Sequence, residues 1–539
     1  MGILTAHQLW DNYDASALPL DQTHLRSEKT DKYTVDSYYF NGEATADGCS
    51  RIFAQVYSPI ANRSGNAFVL MNDADTPFDT TYVDFLTELG FTVLVPDYVG
   101  KRKNGRYTIY PKSMEHCNFY SENNNFSTFP DTPRQSCLYS YTCIMLRSYY
   151  FLTEQEGINK DKIGFFGVRE GAFQVYKSAF VQNNAFCAIA LFNSCYVPTI
   201  NSKSDKETGY KACLANSAYA SQLTVPTYVI DTSNNVEDSL LALSSLYSLS
   251  SDSVSFFIAE HTDNTLTPTH FLSLKEFILA KEKNSFIPTE YPLISAKNSD
   301  RHLYYEITVP NCELAEKVTA FYCYGEGKGQ YRNWIKLPLE RISENEYIAK
   351  ADVFLLKDNT SAFVNVRYKG GFTLSSDVIT RIPFMMGVTS KQIIKSRLIY
   401  EAEMGTDAWM VSRSKFTSAL ISIEEGSKGI NGVTSSVNSL SSLNIGDVHT
   451  CGERDSILQL LIYSENTQNV DIEITCSAND KYYTYKTRKF VSSFGEWSKV
   501  TVSANELKSE IGTMSGWDNA ICITVNSEEK LLINSLLWI

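Results

Sequence analysis

The sequence predicts a mostly parallel α/β sheet with helices on both faces, followed by two β-rich domains of short strands. Three observations carry this prediction. The chain has 539 residues, more than a single core organises, since domains usually run about 100–200 residues. Between residues 51 and 285, apolar strands alternate with segments of helical spacing, the order that builds a parallel sheet. From residue 286 onward the helical spacing stops, and short strands separated by turns take over.

Residues 1–50 are polar with short apolar clusters, and predict an N-terminal arm or hairpin covering the next domain. Within 51–285, GNAFVLMND reads as a buried strand, TTYVDFLTELG as a helix closed by Gly90, and FTVLVPDY as the next strand. A long amphipathic helix, LYSYTCIMLRSYYFLTEQ, leads to the strand DKIGFFG and the helix REGAFQVYKSAFV. FCAIALFN, VPTYVID and VSFFIAEH follow as strands, with helices at SLLALSSLYSL and HFLSLKEFILAKEK. Residues 286–388 carry YYEITVP, KVTAFYCYG, WIKLPLE, EYIAKADV and SAFVNVRYKGGFTLSSDV, the pattern of an immunoglobulin-like or fibronectin-like sandwich with Trp334 and Tyr368 in its core. Residues 389–539 carry ILQLLIYSE, VDIEITCS, KYYTYKTRKF, WSKVTVS, NAICITVN and LLINSLLWI, the strand pattern of a jelly roll. The serine-rich VTSSVNSLSSLNIGD reads as a loop.

Composition bounds the partners. Hydrophobic residues make up 43% and charged residues 20%, an ordinary globular balance. The net charge of −13 opposes nucleic acid and anionic lipid. MGILTAHQLWDNYD lacks a basic start and a long apolar stretch, and Ala6 stands where a myristoylation signal needs Ser or Thr. No apolar run is long enough to span a bilayer, so the expectation is a soluble, cytoplasmic protein. The twelve cysteines form no CxxC pair and no zinc-spaced cluster, so neither metal nor cofactor is expected.

The segment DKIGFFGVREGAF carries the chemistry. A strand, a tight turn and a helix bearing G-x-S-x-G form a nucleophile elbow, in which small glycines let the central side chain stand above the sheet. Gly167 and Gly171 match those glycines, Arg169 stands at the nucleophile position, and Glu170 follows it. With LVPDYVGKRKNGRYTIYP from Leu94 to Pro111 and the lead-in GINKDKIG, residues 51–285 resemble the α/β-hydrolase superfamily, in particular dienelactone hydrolases and acetyl xylan esterases. An arginine is a permanent cation without a nucleophilic lone pair at neutral pH, so serine-type acyl transfer from position 169 is excluded.

The resemblance assigns the other positions. His261, after the last sheet strand, is the positional equivalent of the family histidine, with His270 as a second candidate. Asn235 lies closest to the acid position, with Asp231, Glu237 and Asp238 nearby. The oxyanion loop, glycine-bearing in relatives, reads Asn72-Asp73-Ala74-Asp75, and its carboxylates oppose a developing negative charge. Arg169 either pairs internally with Asp73 or Asp75, or clamps a small anionic ligand. Cys195 is the one alternative nucleophile, paired with His261.

The last domain resembles carbohydrate-binding-module jelly rolls through IYEAEMG, WSKVTVS and LLINSLLWI. That resemblance implies sugar stacking on aromatic rings, for which Trp409, Trp497 and Trp517 are the candidates. Tyr482, Tyr483 and Tyr485 share a strand, on which Tyr483 is expected to face opposite Tyr482 and Tyr485. Glu401 and Glu403 are candidate calcium ligands. Three functions stay open: a non-catalytic binding or scaffolding relative of carbohydrate-active esterases, a hydrolase with a non-standard nucleophile, and a structural or oligomeric assembly protein.

Overall fold

The computed structural model describes residues 4–74, 80–103, 105–126, 130, 132–192, 205–235, 240–299, 301–325, 329–411, 419–478, 481–492 and 494–539. The chain divides into two compact units. The first comprises Met1–Asp231, Leu241–Phe257 and Leu274–Glu290, and the second Thr232–Leu240, Ile258–Ser273 and Tyr291–Ile539.

A nine-stranded sheet organises the first half of the chain. Its strands are β1 (Thr23–Lys29), β2 (Tyr33–Thr45), β3 (Gly48–Pro59), β4 (Ala67–Met71), β5 (Thr92–Pro96), β6 (Ile163–Val168), β7 (Ala188–Leu191), β8 (Thr227–Thr232) and β9 (Val254–Ala259), in the order β1-β2-β3-β5-β4-β6-β7-β8-β9. β1, β2, β3 and β5 pair antiparallel; β5 with β4, β4 with β6, β6 with β7 and β7 with β8 pair parallel. Residues 23–45 are therefore edge strands of this sheet, and the expected arm is part of it. β4 and β6 are apolar and buried at every position, as strands covered on both faces must be.

The helices are α1 (Ala6–Trp10), α2 (Thr81–Glu88), α3 (Cys137–Thr153), α4 (Ala172–Val181), α5 (Asp205–Cys213), α6 (Ser217–Ala220), α7 (Leu240–Leu249) and α8 (Pro268–Lys283). Right-handed crossovers send α2 to one face, where the chain steps back from β4 to β5, and α3 and α4 to the other. α3 starts where Ser136 caps it by accepting the Leu138 N–H. Its Arg147 is buried and donates to the carbonyls of Leu18 and Asn41 at 2.8 and 2.7 Å, tying the N-terminal segment to the sheet. α5 and α6 were not legible in the sequence.

Among the described residues of the second half, strands Leu293–Ser299, His302–Thr308, Glu346–Asp352 and Leu339–Arg341 form one sheet, and Ile335–Leu337, Ala315–Tyr324, Thr360–Tyr368, Thr373–Ser375 and Ile379–Arg381 a second. Trp334 and Tyr368 are buried there. Two further six-stranded sheets follow. Val433, Leu460, Ile462 and Leu536 from one meet Ile472, Ile474, Ile523 and Val525 from the other in a single core, so the two sheets pack face to face. The serine-rich run is strand, not loop: Asn431–Ser435 and Ser439–Ser442 are both paired. Ser441 and Thr524 share a hydroxyl hydrogen bond at 2.7 Å and Ser439 donates to Asn526 at 2.7 Å, which satisfies hydroxyls that hydrophobic patterning does not register.

Trp517 and Trp409 are core residues at 0% and 2% exposure, so neither ring is open for sugar stacking. Trp517 Nε1 donates to the Ser456 carbonyl and its ring meets Trp538 at 4.9 Å. Trp497 is half-buried, donates to the Ser427 carbonyl at 3.0 Å and packs on Tyr463. The expected grouping is corrected: Tyr483 and Tyr485, two positions apart, share the core face, and Tyr482 lies on the other, where it meets Tyr331 at 4.5 Å. No group of three His, Cys, Asp or Glu placed for a metal ion occurs among the described residues, Glu401 and Glu403 included. No described helix is long and apolar enough to cross a membrane.

The turn from β6 into α4 makes a sharp steric prediction. A Cβ on Gly171 would lie 2.7 Å from the Met71 carbonyl carbon and closer still to its oxygen, inside central strand β4. A Cβ on Gly167 would lie 2.7 Å from Ala172 Cα. Gly171→Ala is expected to lower unfolding free energy by about 3 kcal/mol or more, because the obstructing atoms are backbone that cannot rotate away. Urea denaturation checks this, and an unchanged midpoint would refute the packing described.

Candidate functional site: the strand–helix elbow

β6 ends at Val168 and α4 begins at Ala172, with a single 3₁₀ turn, Arg169–Gly171, between them. Arg169 has φ +50°, the left-handed region that costs a branched or long side chain energy. The two glycines let the backbone close against β4, and the strain at Arg169 lifts its side chain off the sheet end. This is the elbow anticipated from the sequence, with arginine at its tip.

The guanidinium is held from the oxyanion loop. Arg169 Nη1 donates to Asp73 Oδ2 at 3.2 Å, with the arginine side chain 21% exposed and the aspartate 7%. Asp73 lies just beyond the end of β4, and its neighbour Asn72 is anchored by Tyr98, whose hydroxyl donates to the Asn72 carbonyl at 2.7 Å. Asp75, the other expected partner, lies outside the described residues.

Glu170 completes the arrangement. Its Oε2 accepts the Ala74 N–H at 3.3 Å. Burial, then the hydrogen bond to Asp73 and the charge of Asp73, push the Glu170 carboxyl up to about 8, against the pull of Arg169. At neutral pH the cluster therefore holds one guanidinium, one carboxylate and one protonated carboxyl, and is charge-balanced. In a hydrolase of this plan the amide after the nucleophile and an amide of the loop after the first buried strand bind the oxyanion. Here the Glu170 carboxyl takes the amide of Ala74, in the loop after β4.

Asn235 and His261, which the sequence reading expected at the acid and histidine positions, belong to the second unit, and each has its own surroundings there. Asn235 is buried. The segment before it is tied down: Trp334 Nε1 donates to the Ser233 carbonyl at 2.9 Å, and Asn234 Nδ2 to the Arg332 carbonyl at 2.8 Å. His261 has φ +52°, its amide donates to Ser233 Oγ at 2.9 Å, and its ring meets Phe321 edge-on at 5.5 Å. Burial lowers its pKa, so it is neutral at physiological pH.

His270 serves a different purpose. Its Nδ1 accepts the Thr267 N–H at 3.1 Å at the start of α8, which places its proton on Nε2, 3.6 Å from Glu260 Oε2. Glu260 also accepts from Asn365 Nδ2 at 2.9 Å. The carboxylate-facing histidine is thus His270, while His261 is the one packed on an aromatic ring. Cys195, Glu237 and Asp238 lie outside the described residues. Sequence reading missed Glu170 as a participant, although its place directly after the elbow tip was visible; the signal was a carboxylate adjacent to a cation at a position reserved for an amide donor.

No family model matches the chain, and no curated protein matches it. Solved structures with similar folds include an acetyl xylan esterase from Paenibacillus sp. R4, at 12% identity over 49% of this chain and 90% of that one, TM-score 0.37. Acetyl xylan esterase 1 from Thermoanaerobacterium sp. JW/SL YS485 aligns at 12% identity over 49% and 89%, TM-score 0.35. A glucuronoyl esterase from Solibacter usitatus aligns at 10% identity over 52% and 95%, TM-score 0.35.

Two predictions follow from the cluster. Asp73→Ala is expected to cost about 2 kcal/mol, less than for a fully enclosed pair because part of the guanidinium meets solvent. Arg169→Leu combined with Asp73→Leu is expected to recover most of that loss, since neither charge is then stranded; additive losses in the urea cycle would show the two residues are uncoupled. The second concerns pH. A carboxyl whose folded pKa is raised gives stability that is full below its unfolded pKa, near 4.5, and lost as pH rises through the folded value. The unfolding free energy of the native chain minus that of Glu170→Gln is therefore expected to fall between pH 4.5 and about 8. A flat difference over that window would contradict the proton-sharing assignment.

Proposed function

We propose that the chain is a non-catalytic relative of the carbohydrate-active esterases, whose hydrolase-like domain serves binding or scaffolding. The observation that carries this reading is the Arg169–Asp73 pair at the elbow tip, with the Glu170 carboxyl taking the Ala74 amide. A nucleophile is absent from the tip, and a loop amide that a tetrahedral intermediate needs is already bonded to a carboxyl. Restoring a hydroxyl alone does not restore the reaction, because Glu170 still occupies that donor.

On this reading Asn235 and His261 are the positional remnants of the acid and base, retained for packing. The segments 286–388 and 389–539 are an immunoglobulin-like sandwich and a jelly roll in a cytoplasmic protein. A saccharide is the ligand class this reading implies. The burial of Trp409 and Trp517 argues against the jelly-roll core tryptophans as its platform.

The test is enzymatic. The full chain is incubated with short-chain nitrophenyl esters and with a fluorophosphonate probe. Neither turnover nor labelling is expected from the native chain or from Arg169→Ser. Ester hydrolysis by the native chain, or its appearance in Arg169→Ser, would overturn the reading.

A further inference from the structure

Beside the elbow, wholly within the first unit, lies a cleft of about 390 Å³. That volume is at the small end of the roughly 300–1,000 Å³ typical of ligand pockets, so it suits a ligand of monosaccharide size. Its floor is the end of β5, at Val95 and Pro96, with Phe53 and Gln55 from the adjoining β3. One wall is the loop after β5, which contributes Tyr98, Arg102 and Arg106.

That wall is built and held. Asp97 Oδ2 accepts the Gly100 and Thr108 amides at 3.1 and 2.7 Å, and its Oδ1 accepts from Arg102 Nη2 at 2.8 Å. Thr108 in turn accepts the Phe53 N–H through its hydroxyl at 3.0 Å, fastening the loop to β3. Gly100 sits at φ +78°, where a Cβ would collide with the Tyr110 ring. The described parts of the loop are therefore held to the sheet edge at Gly100, Arg102 and Thr108, with Arg102 and Arg106 on either side of position 104, which lies outside the described residues.

The charges sort by direction. The carboxylates that line the cleft, Asp73 and Asp97, are 7% and 8% exposed and are committed to Arg169 and to Arg102 with the loop amides. Arg102 keeps 34% of its side chain exposed, and Arg106 is exposed and makes no ion pair among the described residues. A chain of net charge −13 thus presents a positive opening at this point. Guanidinium forks match a planar carboxylate in bidentate fashion. A phosphate site is usually built from backbone N–H groups, and the loop amides of Gly100 and Thr108 are already taken by Asp97. The half-buried Phe53 ring and Gln55 offer an apolar face and an amide suited to the C–H and hydroxyl faces of a sugar.

We propose that this cleft binds a hydroxylated carboxylic acid of monosaccharide size, a hexuronate, with its carboxylate at Arg106 and the outer edge of Arg102 and its ring on Phe53. The proposal rests on the reading of the chain as a binding protein and names its ligand class.

Isothermal titration calorimetry of the full chain with galacturonate and with glucuronate tests it, with galactose and glucose 6-phosphate as comparators. Binding of at least one uronate, an affinity falling with added salt, and a loss of about tenfold in Arg106→Ala with an unchanged melting temperature are expected, the size of one charge-assisted hydrogen bond. Phe53→Leu keeps the floor filled and is expected to weaken uronate binding by a smaller factor. Absence of heat with both uronates, equal or tighter binding of galactose or glucose 6-phosphate, or an Arg106→Ala affinity equal to the native one would each overturn the proposal. The ester assay separates the two readings: turnover refutes the silent elbow whatever the calorimetry gives, and absent turnover with absent uronate binding refutes only the cleft assignment.

Discussion

The ion pair between the Arg169 guanidinium and the Asp73 carboxylate is the constraint on which the first unit's chemistry turns. It joins the turn at the end of β6 to the loop at the end of β4, two neighbouring strands of the sheet. A long cation in a left-handed turn is costly twice over, for its backbone and for its partial burial. Asp73 offsets the second cost, and Gly167 and Gly171 make the turn sterically feasible. The protonated Glu170 then lets two carboxyl groups sit beside a single cation without excess negative charge. The turn holds an arginine at its tip, and the charged groups beside it offset one another.

The loops following β8 and β9 are held by contacts within the second unit. Ser233, Asn234 and His261 are fixed by Trp334, the Arg332 carbonyl and Phe321, residues of the β-rich part of the chain. Trp334 and Phe321 both pack on Phe363, so these loops end on an aromatic cluster. An imidazole used for proton transfer needs an orienting carboxylate and a pKa near working pH. His261 has an aromatic edge contact and a lowered pKa instead. His270 has the carboxylate but spends Nδ1 on the start of α8.

Much of this was legible in the sequence where one physical signal dominates. Buried strands such as FVLM and IGFFG, and the paired glycines around position 169, admit one reading because apolar continuity and steric need act together. Arg169 as the tip residue followed from the register of that turn, which left Asp73, Asp75 or an anionic ligand open as its partner. Residues whose role depends on distant chain segments were not legible. Glu170 reaches the Ala74 amide across 96 positions, and Asp97 organises a loop through backbone amides that carry no sequence signature. Trp409 and Trp517 have the composition of a binding platform, and only packing reveals them as core. The serine-rich strands were hidden because their stabilising hydroxyl pairs lie across the sheet, not along the chain.

The central claim is that Asp73 immobilises the Arg169 guanidinium. Proton–nitrogen NMR of the arginine side chains, assigned by comparison with an Arg169→Lys sample, reads this directly. A held guanidinium rotates slowly about its Nε–Cζ bond and gives separate Nη signals protected from solvent exchange. The account predicts such signals for Arg169 in the native chain and their collapse in Asp73→Asn. A single averaged, rapidly exchanging resonance in the native chain would contradict it.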